Sequence, residues 1–337
     1  TLTSPKLIAQ EEDPYLWLEE VDGEKALEWA NKKSGQTLKI LQANPSYEEI
    51  FEKSLEVLNS NERIVAPSLR GDHVYNFWQD ADNPRGIWRR TGKDDYMSGN
   101  PQWETLLDLD KMSKEDDVKW VYKGANGLYP DYDRFLVSLS KGGGDAIEVR
   151  EFDPESRSFV EGGFFLPEAK GGASWVDENT LIVSTDFGDG VTTSGYPMQV
   201  KLWKRGTSLE DAQLVYQGKE TEMGTWGSTL TNPDRSYTMV VNKPSFFRQK
   251  MYVVENGETR LLEIPEDANV SAVFKNRMLI NLKSDWEVGE TTFKQGSVIS
   301  VDYDTFLQGG RDFDIVFEPD AKTSVQSIRR TENFLLL

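Results

Sequence analysis

The chain has 337 residues, 37% hydrophobic and 28% charged, the mix of a globular protein long enough for a sizeable core. Its formal charge of −19 repels a phosphate backbone and argues against a nucleic-acid partner. With no Cys there are no disulfides, thiol nucleophiles or thiolate metal sites, and no apolar run approaches the ~18 residues that cross a bilayer.

In chain order, a polar lead-in to Glu12 precedes a helical region. Trp17, Leu18, Val21, Ala26, Leu27, Trp29 and Ala30 recur at helical spacing, and Asp22 is placed to cap a helix running from about Gly23 towards Ile40. A second helix follows Pro45. Ser46 would cap it, Glu49 sits three residues on, and Ile50, Leu55 and Leu58 give an apolar face that fades at Asn59-Ser60-Asn61. Residues 1–62 are therefore predicted to be a helical arm.

After Arg63 helical periodicity gives way to short β-rich runs between turns. One strand type recurs at 74–78, 135–139, 181–184, 237–241, 278–282 and 334–337. The first five are each followed by two more strands, at 87–90, 147–150, 200–203, 251–254 and 298–301, then at 105–107, 164–166, 214–216, 261–264 and 315–317. Innermost strands precede them, as at 172–175 and 227–230. Four strands per unit at a spacing of roughly 50 residues predict a mainly β fold: a β-propeller over 63–337, with five full blades and the start of a sixth. The chain starts without Met and stops in mid-strand at Leu337, which predicts a piece of a longer protein.

Hydrolytic machinery is missing from the sequence. A serine hydrolase of the α/β type needs a Gly-x-Ser-x-Gly elbow and an imidazole to take the serine proton. No such elbow occurs, and the one histidine, His73, is expected in a turn. Asp186-Phe187-Gly188 and Gly142-Gly143-Gly144 lack the helix and phosphate-loop context of nucleotide sites and are expected as turns. The acidic groups Asp94-Asp95, Glu115-Asp116-Asp117 and Asp302 with Asp304 lack a calcium-loop pattern and are expected as solvated turns. No catalytic residue, metal site or cofactor is predicted. Asn269-Val270-Ser271 is a formal glycosylation sequon.

The segment Asp13-Pro14-Tyr15-Leu16-Trp17-Leu18-Glu19-Glu20 resembles the opening of the prolyl oligopeptidase family, and Ser194-Gly195-Tyr196-Pro197 with Val200 to Gly206 resembles a stretch of its bacterial members. The order of helices and then blades resembles the family too. The resemblance implies a longer serine endopeptidase. In it a seven-bladed propeller covers an α/β-hydrolase domain, the arm packs on that domain, and the propeller admits short peptides cleaved typically after proline. It also implies that propeller loops form part of the substrate pocket. Trp226, at the start of the fourth blade, and Phe246, Phe247 and Arg248 in the next loop are the candidates, against the alternatives of packing between blades and a solvated hairpin tip. Exposed blade edges predict self-association. Two other readings stay open: a stand-alone propeller that binds a protein or peptide, and a propeller glycosidase with two carboxylates converging on the axis.

Overall fold

The computed structural model describes residues 13–20, 23–60, 62, 64–188, 190–331 and 333–337. The chain divides into two compact units, 1–63 and 64–337.

In the first unit a 3-10 turn, Leu16–Glu19, precedes helix α1, Glu24–Gln42, and helix α2, Tyr47–Leu58. Val21 and Asp22 lie outside the described residues, and Gly23 holds the N-cap position of α1. Ser46 holds that of α2, but it has helical dihedrals (φ −88°, ψ −3°) and makes no capping hydrogen bond. Instead the Asn44 Oδ1 accepts from the Ser46 N–H at 2.9 Å, and Glu49 pairs with Lys53 at 2.7 Å. The expected capping box is therefore absent, because a capping side chain reaches the N3 amide only from an extended backbone. Trp17 meets Trp29 edge to face at 6.4 Å, with the Lys25 ammonium 4.2 Å over the Trp17 ring.

The second unit is a propeller of five four-stranded blades. Blade I pairs Ser68–Arg70, His73–Trp78, Ile87–Gly92 and Glu104–Asp108 in sequence order. Blade II pairs Trp120–Gly127, Phe135–Lys141 and Ile147–Asp153, and its outer position is shared by Ser158–Phe159 and Phe165–Ala169. Blade III is Gly172–Asp177, Thr180–Ser184, Gln199–Lys204 and Gln213–Gln217; blade IV is Gly224–Leu230, Tyr237–Ser245, Arg248–Glu255 and Glu258–Leu261. Blade V is Asn269–Phe274, Arg277–Asn281, Val298–Asp302 and Asp314–Phe317. A sixth sheet has two strands, Arg329–Arg330 and Leu335–Leu336.

Period-2 alternation explains why the second strands are apolar almost throughout. Successive side chains point to opposite faces, and in a radial array both faces are covered by neighbouring blades. In blade III, Leu181 and Val183 join the cluster shared with blade II, while Ile182 joins the one shared with blade IV. Met239 and Val240 divide in the same way between the blade V and blade III seams. The core is thus four seams. Trp88, Phe135 and Phe152 fill the first, Phe164, Trp175 and Trp203 the second, Ile182, Val200 and Val240 the third, and Met239, Met278 and Ile299 the fourth.

Three short helices that the sequence pattern does not announce sit between strands: α3, Lys93–Met97, α4, Leu109–Asp116, and α5, Tyr303–Leu307. They account for the acidic groups expected as solvated turns. Asp94 and Asp95 lie in the first turn of α3, Asp116 accepts from the Trp120 indole N–H at 2.8 Å, and Asp302 caps α5 by accepting from the Thr305 N–H at 2.8 Å. His73 is the first residue of a strand rather than a turn residue, because Asp72 and Gly71 complete the turn before it. Among the described residues no helix is long and apolar enough to cross a membrane.

Candidate functional site

In an antiparallel meander the turns alternate between two ends, so a propeller has two rims. One carries the turns between first and second strands and between third and fourth. The other carries the second-to-third turns and the connections between blades. Polar clasps join the blades at the first rim. Arg90 of blade I bonds Glu104 at 2.7 Å and Glu155 of blade II at 2.8 Å. Arg205, in the turn between the third and fourth strands of blade III, grips the buried Glu151 of blade II through both guanidinium ends, at 2.8 and 3.0 Å. Arg235 of blade IV bonds Asp304 at 2.9 Å. The axial mouth on this rim is a cavity of about 600 Å³, lined by turn residues that include Gly71, Tyr129, Tyr132, Asn232, Asp234 and Lys275. Burial pushes the Tyr132 phenol above its ordinary pKa.

Trp226 belongs to the other rim. It pairs with Val241 near the start of the innermost strand of blade IV and is half-buried. Its indole meets Tyr196, from the long loop of blade III, edge to face at 5.8 Å. The Lys243 ammonium lies 5.9 Å from the Trp226 ring, and the Lys170 ammonium 4.4 Å from the Tyr196 ring. The Tyr196 hydroxyl donates to Asp145 at 3.3 Å, and that carboxylate holds the phenol above its usual pKa. Gly224 makes room for the indole: a Cβ there would stand 2.7 Å from Trp226 Cη2. Packing between blades and exposure at a rim therefore coexist at Trp226.

Phe246 and Phe247 form the tip of the hairpin between the second and third strands of blade IV, 71% and 83% exposed, with ring centroids 4.9 Å apart. Arg248 opens the third strand opposite Ser245 and pairs with Glu266 at 3.6 Å. The tip lies on the same rim as Trp226, about 13 Å further along the strand at ~3.3 Å per residue. The structure thus places all four candidates at one end of blade IV but in two groups, Trp226 with Tyr196, and Phe246 with Phe247. The sequence reading missed Lys170, Tyr196 and Lys243 as partners of Trp226. Their only signal was the Ser194 to Pro197 stretch, and nothing in the spacing shows that this loop folds across a seam.

The innermost strands carry a single carboxylate among the described residues, Asp177 at the turn end of blade III. A glycosidase pair converging on the axis has no counterpart on those strands. The expected turns at Gly142-Gly143-Gly144 and Asp186-Phe187-Gly188 lie between strands, the second closed by the Gly188 N–H donating to Asp186 at 2.8 Å.

A radial array of four-stranded meanders defines a β-propeller. The model of the prolyl oligopeptidase N-terminal β-propeller domain matches residues 8–337, and the chain belongs to that family. An uncharacterized peptidase of Sinorhizobium fredii is 37% identical over 336 residues, 96% of this chain and 46% of that protein. A prolyl endopeptidase of Elizabethkingia miricola is 27% identical over 215 residues, 62% of this chain and 29% of that protein. The structure of a post-proline cleaving enzyme from Rickettsia typhi matches with a TM-score of 0.86 at 30% identity, over 94% of this chain and 48% of that one. The chain spans about half the length of the Sinorhizobium fredii and Rickettsia typhi proteins.

Proposed function

We propose that this chain is the arm and propeller, 1–62 and 63–337, of a longer serine endopeptidase that cleaves short peptides after proline. In this reading the propeller is seven-bladed in the whole protein and controls access to an α/β-hydrolase domain in the same polypeptide. The family match carries the reading, together with a sequence that has one His and no elbow serine. Trp226 would then form part of the substrate wall, where a half-buried indole can stack on a peptide side chain. Phe246, Phe247 and Arg248 would present a second contact at the hairpin tip. The whole protein should hydrolyse a fluorogenic prolyl peptide and lose that activity to a serine-directed phosphonate, while residues 1–337 alone leave the peptide intact. Phosphonate-sensitive cleavage by residues 1–337 alone would refute the assignment. An inert whole protein would favour a peptide-binding scaffold.

Self-association belongs to the same reading. Among the described residues the Leu335–Leu336 strand has a partner on one side only, and Phe334, Leu336 and Leu337 are 68%, 53% and 56% exposed. An unpaired apolar edge is a template for pairing with another chain. Sedimentation velocity of residues 1–337 should show dimers that grow with concentration and are suppressed by Leu336→Lys. A strict monomer at high concentration would count against this.

A further inference from the structure

Arg90 is buried, Arg205 and Arg311 are half-buried, and each faces a carboxylate, as expected of cations in a chain of charge −19. Two half-buried lysines on the Trp226 rim do not. Lys243 has the Trp226 ring as its neighbour, and Lys170 has the Tyr196 ring and the Ser194 carbonyl, to which it donates at 2.9 Å. Neither ammonium makes an ion pair among the described residues. Two carboxylates on the adjoining elements are engaged by other groups. Asp145 accepts from the Tyr196 hydroxyl, and Glu222 accepts from the Asn242 side chain at 2.8 Å and from the Lys219 N–H at 2.9 Å.

Lys170, Tyr196, Trp226 and Lys243 therefore form a row across blades II, III and IV, with a cation at each end and two meeting rings between. A ring face attracts a cation without neutralising it, so each ammonium keeps its charge for an incoming anion. A carboxylate arriving at Lys243 displaces no existing ion pair, and an apolar group beside it has the indole to cover.

We propose that this row is a peptide subsite selective for an acidic residue, whose carboxylate meets Lys243 while a neighbouring side chain lies on Trp226. The proposal deepens the peptidase reading and rests on it for the choice of peptides as ligands. The preference would run against the long-range field of the molecule, since a charge of −19 repels an acidic peptide overall. A preference for Glu over Gln must therefore come from a local cation.

The test uses the whole protein and labelled proline-containing peptides in which one position at a time is Glu or Gln. Fluorescence anisotropy is read before turnover, and cleavage is followed afterwards. At one position the Glu peptide should bind about fivefold more tightly than its Gln twin, the scale of a single partly exposed ion pair. Lys243→Gln should bring that ratio to about one. Lys294→Gln, the same charge change on blade V, should leave it unchanged. Gly224→Ala, whose Cβ would push the indole aside, should weaken both peptides while keeping part of the ratio. No preference at any position, or a preference that survives Lys243→Gln, would overturn the proposal. A preference without cleavage would leave the subsite standing and remove the peptidase reading.

Discussion

Glu151→Ala is expected to destabilise the propeller unit by about 3 kcal/mol, the range found when one partner of a buried ion pair is removed. The Glu151 side chain is 1% exposed, and that of Arg205 is 32% exposed. Both carboxylate oxygens accept from Arg205, Arg134 stands 3.8 Å away, and the Phe164 N–H donates to the same group at 2.8 Å. Truncation strands a backbone donor in the interior and leaves a partly covered guanidinium, packed 4.4 Å over the Phe164 ring, without its anion. Glu151→Gln keeps an acceptor for the amide and should lose roughly half as much. The contrast is Lys53–Glu49, whose side chains are 71% and 68% exposed and whose loss should cost under ~0.5 kcal/mol. Urea midpoints at constant m decide the matter. A shift for Glu151→Ala no larger than for Glu49→Ala would mean that the seam does not depend on the clasp.

Trp88→Ala should cost about 4 kcal/mol, within the range for deleting a buried aromatic ring. Trp88 is 2% exposed and touches rings on both sides of the first seam: Tyr75 at 5.7 Å on its own blade, and Phe135 and Phe152 of blade II at 5.1 and 5.4 Å. No single neighbour can collapse into the space without leaving another ring unsupported. In a radial array stability is held largely in nearest-neighbour interfaces, as in other repeat folds. Amide exchange should therefore accelerate in His73–Trp78 and Phe135–Lys141 while Val298–Asp302 in blade V stays slow. Uniform acceleration across all blades would show that the ring opens as one unit instead.

The blades were legible in the sequence because both faces of their second strands are buried, which leaves dense apolar runs such as Leu181 to Val183. Edges were less legible. The outer strand of blade IV was expected at 261–264 and is Glu258–Leu261. Leu261-Leu262-Glu263-Ile264 is the more apolar run, but Asn256-Gly257, with φ of 53° and 80°, makes a tight two-residue turn that pairs Glu255 with Glu258 and fixes the register. Leu262 is buried without being in the strand. The hairpin of Trp286–Val288 with Thr291–Phe293 was also missed, being an insertion within blade V rather than part of the repeat. At the candidate site the sequence pointed to Trp226 through the resemblance alone. The row around it depends on a loop crossing a seam and on a missing Cβ at Gly224, and neither leaves a periodic trace.

Each of blades I to V is built from one continuous stretch, with its strands laid down in chain order around the inserted hairpin of blade V and the shared outer position of blade II. Blade I, for instance, is complete within 68–108 and borrows no strand from the later blades. Synthesis at about 5–20 residues per second delivers a blade of about 50 residues in roughly 3–10 s, whereas a hairpin forms in about 1–10 μs. A blade emerging from the ribosome therefore has all its strands long before the next one arrives. Its own hairpins can form at once, and the seam facing the unmade neighbour stays wet until that neighbour arrives, so each new blade covers the face left open by the one before it.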